Sequence, residues 1–433
     1  MSPAKNKASS AATVDLTLVA ALAGTATAAT LLLYRRHRQW HSESEKDKRK
    51  AYEEAAQSLV GPNPQMVYLS HSHNTGSTGN KEGTTTSPAD AAVGFLTSFA
   101  SGKENPKQQT SNANNITLVL IHGFGCTSLE FNSFVYVLGK KHPEINVFSY
   151  DRILFVPDQS AQTLLQTTTR NARTLAAELH DLLQQRCGKH HKYVLMGHSY
   201  GGLIAQHYAQ AHPEKMVGMV LIDPAHELQN QKLPRDFSLA MTHVVPWMMG
   251  TLYHNLAWTG FLQVLDYFGA FNFPPIFLWQ HRKSPRRKAC AHLYSHGTYV
   301  WKLAAAELQG CMETFEEINT LADATTAATT NDADNDDRRD GNGSGDDVFQ
   351  RTAFYELLRQ HNIPTGLVIA GHRQYTPTLF KHAMTLAFQD MHKDFPCSQV
   401  LMASKSDHWV HMQEPQVVLQ AVEYVLTYNK ATI

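Results

Sequence analysis

Tyr193-Val194-Leu195-Met196-Gly197-His198-Ser199-Tyr200-Gly201-Gly202-Leu203-Ile204-Ala205 joins a short apolar run to a helical pattern, with Gly-x-Ser-x-Gly between them. The run is too short for a helix and stops at Gly197, so it reads as a buried strand. A serine on such a strand-to-helix turn sits in a strained backbone conformation, its hydroxyl lifted above the sheet edge. Gly197 and Gly201 are needed there because a Cβ at either position would crowd the neighbouring strand and helix. The start of the next helix points free N–H groups at the same spot, where negative charge would develop. Free serine is a poor nucleophile, so the turn carries chemistry only with a histidine base and an acid behind it. Gly-x-Ser-x-Gly recurs by chance; the strand before it and the helix after it give this copy its weight.

The same alternation continues on both sides. Ile116 to Ile121 is a continuous apolar strand of the kind buried on both faces, ending in His122-Gly123-Phe124-Gly125. Val147 to Tyr150 is the next strand, ending in Asp151-Arg152, and Thr163 to Arg186 predicts a long amphipathic helix. The helix after Ser199 runs to Ala211 and is stopped by Pro213; Val217 to Ile222 is another buried strand, ending at Asp223-Pro224-Ala225. This pattern means an α/β fold, a mostly parallel sheet with crossover helices on both faces. Residues 226–356 break it: they are helical and rich in Met, Trp and Phe, and read as a helical cap. Within the cap, residues 325–347 are acidic and rich in Asn, Asp and Gly, which predicts a disordered insert. The alternation returns over residues 357–433, with strands at 365–370 and 399–402, helices at 377–391 and 415–428, and the loop Ser404-Lys405-Ser406-Asp407-His408-Trp409. The core is thus expected in two parts, 116–225 and 357–433.

Ahead of the core, residues 14–34 are apolar and rich in small residues, long enough as a helix to match the hydrocarbon thickness of a bilayer. Arg35, Arg36 and Arg38 follow at once, whereas only Lys5 and Lys7 precede the run. That bias predicts a single-pass anchor within residues 1–38, with the downstream domain on the cytosolic side. A cleaved signal peptide, with Ala26-Thr27-Ala28 as the cleavage site, and an organelle-targeting segment are the rival readings. Residues 39–115 form a linker, largely polar from Ser70 to Asn115 and expected to be partly disordered. Within the linker, Gln65 to Leu69 has the pattern of a strand, and Ala92 to Ala100 is a small apolar island. Lys+Arg and Asp+Glu both total 38, so nothing points to a nucleic-acid partner. The five cysteines are scattered without Cys-x-x-Cys spacing, which argues against a disulfide framework or structural zinc. No cofactor or metal is expected.

Three pieces together resemble the α/β-hydrolase superfamily: His122-Gly123-Phe124-Gly125, Gly197-His198-Ser199-Tyr200-Gly201-Gly202, and Asp407-His408-Trp409-Val410-His411-Met412-Gln413-Glu414-Pro415. The resemblance implies Ser199 as nucleophile, His408 as base in preference to His411, and backbone N–H groups of Tyr200 and Phe124 as oxyanion donors. His122 then braces its loop. The commonest position for the acid falls in Gly371-His372-Arg373-Gln374-Tyr375-Thr376-Pro377, which holds no carboxylate. Some relatives place the acid one strand earlier, which here is Asp223, with Glu227 in reserve. A serine nucleophile implies acyl transfer: an esterase, lipase, thioesterase or amidase. An apolar cap beside a membrane anchor points to a hydrophobic, lipid-like acyl substrate. The alternative is a catalytically silent protein that keeps the fold as a binding scaffold at a membrane.

Overall fold

The computed structural model describes residues 65–69, 92–98, 116–152, 165, 169–187, 191–226, 235–268, 294–295, 297, 299–332, 360–371 and 398–432. Eight strands form one sheet: β1 (Gln65–Leu69), β2 (Ala92–Ser98), β3 (Ile116–Ile121), β4 (Asn146–Asp151), β5 (Lys192–His198), β6 (Met216–Ile222), β7 (Thr365–Ala370) and β8 (Ser398–Ala403). Their spatial order is β1-β2-β4-β3-β5-β6-β7-β8. From β4 onward in that order every pair is parallel, while β1–β2 and β2–β4 are antiparallel.

The apolar strands alternate their side chains between two cores, because a strand has a period of two. Leu118 and Leu120 of β3 face one core, with Phe131, Phe134, Leu138, Val418 and Val422. Those partners come from the turn Ser128–Phe131 and from α1 (Asn132–Lys141) and the C-terminal helix Pro415–Thr432. Val119 and Ile121 face the other core, with Leu175, Leu179, Leu203 and Tyr208. These lie on α2 (Ala172–Cys187) and α3 (Tyr200–Ala211). Central strands therefore need apolar residues facing both cores, and most positions of β3, β5 and β6 are apolar.

Between β6 and β7 the chain builds helices only, among the described residues. A continuous helical run over 235–258 includes two wide π segments, Ala240–Val244 and Met248–Tyr253, on either side of Val245–Trp247. Pro246 lies in the middle, where the missing N–H breaks the regular ladder. The helix Phe261–Tyr267 follows, then α4 (Val300–Asp332). Trp301, Leu303, Leu308 and Phe315 of α4 are buried in the second core, which locks the cap onto the sheet.

The strand expected at Gln65–Leu69 forms as β1. Two expectations change. The apolar island that begins at Ala92, read as part of the linker, supplies β2, which pairs with β4 from Val93–Asp151 to Ser98–Asn146. The acidic run is not unstructured from its start: α4 continues through Asp332, because Ala322, Ala324, Ala327 and Ala328 favour helix. The rest of that run, to 347, and the expected helix 377–391 lie outside the described residues. So does segment 14–34; among the described residues no helix is long and apolar enough to cross a membrane.

Candidate active site

The carboxyl ends of β3, β5, β6 and β8 converge on one edge of the sheet, beside the point where strand order reverses around β3. In open α/β sheets that edge is where ligands bind. Ser199 stands there between β5 and α3 with φ 53° and ψ −121°, a strained conformation for a residue with a Cβ. The turn is held by its own backbone. The Ser199 N–H donates to the Ile222 carbonyl at 3.1 Å, and the Ser199 carbonyl accepts from Gly202 and Ala225, both at 2.9 Å. A Cβ on Gly197 would lie 2.3 Å from the Gly201 carbonyl oxygen, and one on Gly201 would lie 2.1 Å from that of Ile121. Both glycines are required by contact, as expected.

Asp223 closes β6 and is fully buried, with φ 40°. One carboxylate oxygen, Oδ1, accepts the Ala370 N–H at 3.2 Å, and the other, Oδ2, lies 2.6 Å from His408 Nδ1. His408 itself is one-quarter exposed, so the pair is buried on the carboxylate side and open on the imidazole side. The loop that carries His408 is tied down at several points. Glu414 Oε2 accepts from the Lys405 N–H at 2.8 Å and the Ser406 hydroxyl at 2.7 Å, and Gln413 Oε1 accepts from the Asp407 N–H at 2.7 Å.

His411 does not compete for this place. It is fully buried, with its Nε2 3.7 Å from Glu130. Glu227 and Gln374 lie outside the described residues. Phe124 follows Gly123, where an added Cβ would come 3.3 Å from the Ser199 Cβ, and Tyr200 opens α3. The two elements expected to donate to an oxyanion thus flank Ser199.

The family model described as "Alpha/beta hydrolase family" matches residues 118–421. The chain belongs to the α/β-hydrolase family. Solved structures similar to this α/β hydrolase include a carboxylesterase from Nitrososphaera gargenis, at 14 % identity over 81 % of this chain and 99 % of the other, with TM-score 0.47. A carboxylesterase from Bacillus subtilis is 13 % identical over 88 % and 98 %, with TM-score 0.45. A mutant candidate epoxide hydrolase from Pseudomonas aeruginosa is 14 % identical over 86 % and 99 %, with TM-score 0.50, a likeness of fold alone. No curated protein matches the chain.

Several residues around the α/β-hydrolase site carry no signal in the sequence. Glu130 Oε1 accepts the Gly123 N–H at 3.1 Å and lies 3.0 Å from His198 Nδ1. His198 Nε2 lies 3.0 Å from the His408 carbonyl oxygen. One buried pair therefore touches the His-Gly loop, the serine turn and the His408 loop. Glu130, His198 and His411 each place a donor atom within 4.8 Å of the others, close enough for a metal. His198 uses both ring nitrogens in contacts to Glu130 and the His408 carbonyl, and in this structure the group braces the loops.

A second buried group fixes the other side of the loop. Arg152 donates from Nη1 to the His122 carbonyl at 2.8 Å and from Nη2 to the Gly123 carbonyl at 3.0 Å. Its Nε meets Glu307 of α4 at 2.8 Å, with both side chains out of solvent. Burial alone would lower the Arg152 pKa, but the Glu307 carboxylate more than offsets this and holds it above the ordinary range. His122 is driven the other way: burial, with Arg152 beside it, holds its pKa well below the usual value. It is neutral, with Nδ1–H donating to the Gly123 carbonyl and Nε2 accepting the Arg152 N–H. That is the bracing role expected of it. From the cap, the Tyr294 hydroxyl donates to the Gly125 carbonyl at 2.5 Å.

Proposed function

We propose that this α/β hydrolase cleaves an ester, thioester or amide of a hydrophobic acyl substrate through an acyl-enzyme on Ser199. The observation that carries the reading is the 2.6 Å contact between His408 Nδ1 and the buried Asp223 carboxylate, on the strand end beside the Ser199 turn. With Nδ1–H engaged, His408 presents Nε2 as the base. It takes the serine proton as the hydroxyl oxygen attacks the carbonyl carbon. The tetrahedral oxyanion collects on N–H groups of Tyr200 and Phe124, and the leaving group departs with the proton from Nε2. Water, deprotonated by the same nitrogen, then attacks the acyl carbon, releases the acid and restores Ser199.

The serine favours acyl transfer over the chemistry of relatives that use an aspartate nucleophile. The aromatic cap supports an apolar acyl group. Residues 14–34 support a single-pass membrane anchor with the hydrolase domain on the cytosolic side.

A fluorophosphonate probe on the purified chain tests the proposal. Labelling at Ser199 is expected, and Ser199→Ala should lose on the order of 10⁴- to 10⁶-fold in kcat on a short p-nitrophenyl ester. No labelling of the wild type would make the silent scaffold the better account.

A further inference from the structure

The outer face of the first cap helices has the wrong chemistry for water. Leu239, Val244, Trp247, Leu252, Trp258, Phe261, Tyr267 and Phe268 are all exposed; Trp247 is 62 % exposed, Trp258 56 %, Tyr267 75 % and Phe268 74 %. On the opposite face, Pro246, Met249, Ala257 and Leu262 are buried, Met249, Ala257 and Leu262 in the core shared with α4. A surface helix normally has one apolar stripe and one charged face. Here both faces are apolar. Charged residues make up 18 % of the chain, yet residues 237–268 contain one, Asp266. That carboxylate accepts the Ser295 hydroxyl at 2.9 Å. The residues exposed between the large apolar ones are His243, Thr251, Asn255 and Thr259, with no carboxylate, lysine or arginine among them. Trp and Tyr among small polar groups is the composition favoured at the headgroup level of a bilayer.

The sequence that follows this face is apolar and then strongly basic. Phe271, Phe273, Ile276, Phe277, Leu278 and Trp279 continue the apolar character, and Arg282, Lys283, Arg286, Arg287 and Lys288 come directly after, with no carboxylate from Tyr267 to Leu293. A basic cluster next to an interfacial apolar stretch is attracted to anionic lipid. A second copy would add another basic cluster of the same sign, whereas an anionic leaflet offers the opposite charge.

We propose that the cap face formed by residues 239–268 docks onto an anionic bilayer surface, with Trp247 and Trp258 at headgroup depth. This goes beyond the proposed reaction and does not depend on the N-terminal segment. It orients the cap, and the site beneath it, toward the phase in which an apolar acyl substrate dissolves.

The test uses the full chain, reconstituted with phosphatidylcholine vesicles with or without phosphatidylglycerol, the phosphatidylcholine carrying dibrominated acyl chains. Tryptophan emission should be quenched more strongly when phosphatidylglycerol is present. Trp247→Phe/Trp258→Phe, which keeps the face apolar, should show clearly weaker quenching, by the share these two residues carry. Trp247→Glu/Trp258→Glu should hydrolyse a soluble p-nitrophenyl ester at the wild-type rate. Its rate on the same ester with a long acyl chain embedded in vesicles should fall by about tenfold or more, the loss expected when two interfacial aromatics no longer partition. Equal quenching in wild type and the double Phe variant overturns the docking, as does indifference to phosphatidylglycerol. So does a lipid-free dimer that the double Glu variant dissociates. A wild type inactive on the soluble ester would defeat the proposed reaction instead, and the quenching would still judge the docking.

Discussion

Asp223→Asn changes one oxygen to an amide, and the structure says which one. Asp223 Oδ1 accepts the Ala370 N–H, a donor fixed on β7. The variant's amide oxygen is held at that position, because turning the amide would set its NH2 against the Ala370 N–H and orphan a buried donor, at a cost of about 1–3 kcal/mol. The amide nitrogen then takes the place of Oδ2, facing His408 Nδ1 across the 2.6 Å contact. Two donors cannot share that line, so His408 must present a lone pair on Nδ1 and carry its hydrogen on Nε2. In that tautomer it has no lone pair to accept the Ser199 proton, and the imidazolium formed during attack has lost its counter-charge. The expected loss is about 10³- to 10⁴-fold in kcat on a p-nitrophenyl ester, in line with removal of a triad acid elsewhere. KM should change little, because no substrate contact is removed, and circular dichroism should show the fold retained. Near wild-type kcat in Asp223→Asn would refute the assignment and the tautomer argument with it, and direct attention to another carboxylate such as Glu227.

Glu307→Ala leaves Arg152 charged, buried and without its partner, so urea unfolding should show a loss of about 3–5 kcal/mol. His198→Gln places an amide N–H near the former Nε2 and can still meet the His408 carbonyl, whereas His198→Asn places one near the former Nδ1 and keeps only the Glu130 side. Steady-state assays should therefore find more kcat in the Gln variant than in the Asn variant at similar KM, and the reverse order would show that the contact to His408 does not position the base. His207 is held to about 3 by burial, with Arg173 adding to it. Since the unfolded chain titrates near 6.5, the stability from neutral His207 is fully present above about pH 6.5 and falls by about 1.4 kcal/mol per pH unit toward about pH 3. His207→Phe should flatten the acid limb of urea stability measurements by that slope; an unchanged limb would show that His207 does not titrate with unfolding.

What the sequence shows plainly is what has local grammar. Gly197 and Gly201 announce the Ser199 turn because the contacts that exclude a Cβ come from the neighbouring strand and helix start. Asp223 is legible because it ends a strand parallel to and paired with the one that ends at His198, so register alone carries it to the same edge. β2 is harder, since a short apolar island behind a polar tract gains its meaning only from pairing with β4. The acidic run misleads in the other direction: composition argues for disorder, while its alanines let α4 run on through Asp332. The braces lie furthest from view. Glu130 is 68 residues from His198, His198 is 210 from His408, and Arg152 is 155 from Glu307. No periodicity links such pairs, and each is visible only once the sheet has folded. Yet they act on one short segment from opposite sides. Glu130 holds the Gly123 N–H, while Arg152 holds the carbonyls of His122 and Gly123. With donor and acceptor both engaged, the peptide planes around Gly123 cannot rotate without breaking a buried charged contact. The N–H of Phe124, which the proposed reaction uses, is oriented by the peptide that begins at the Gly123 carbonyl. Its aim is therefore set by Arg152, and through Glu307 by the cap.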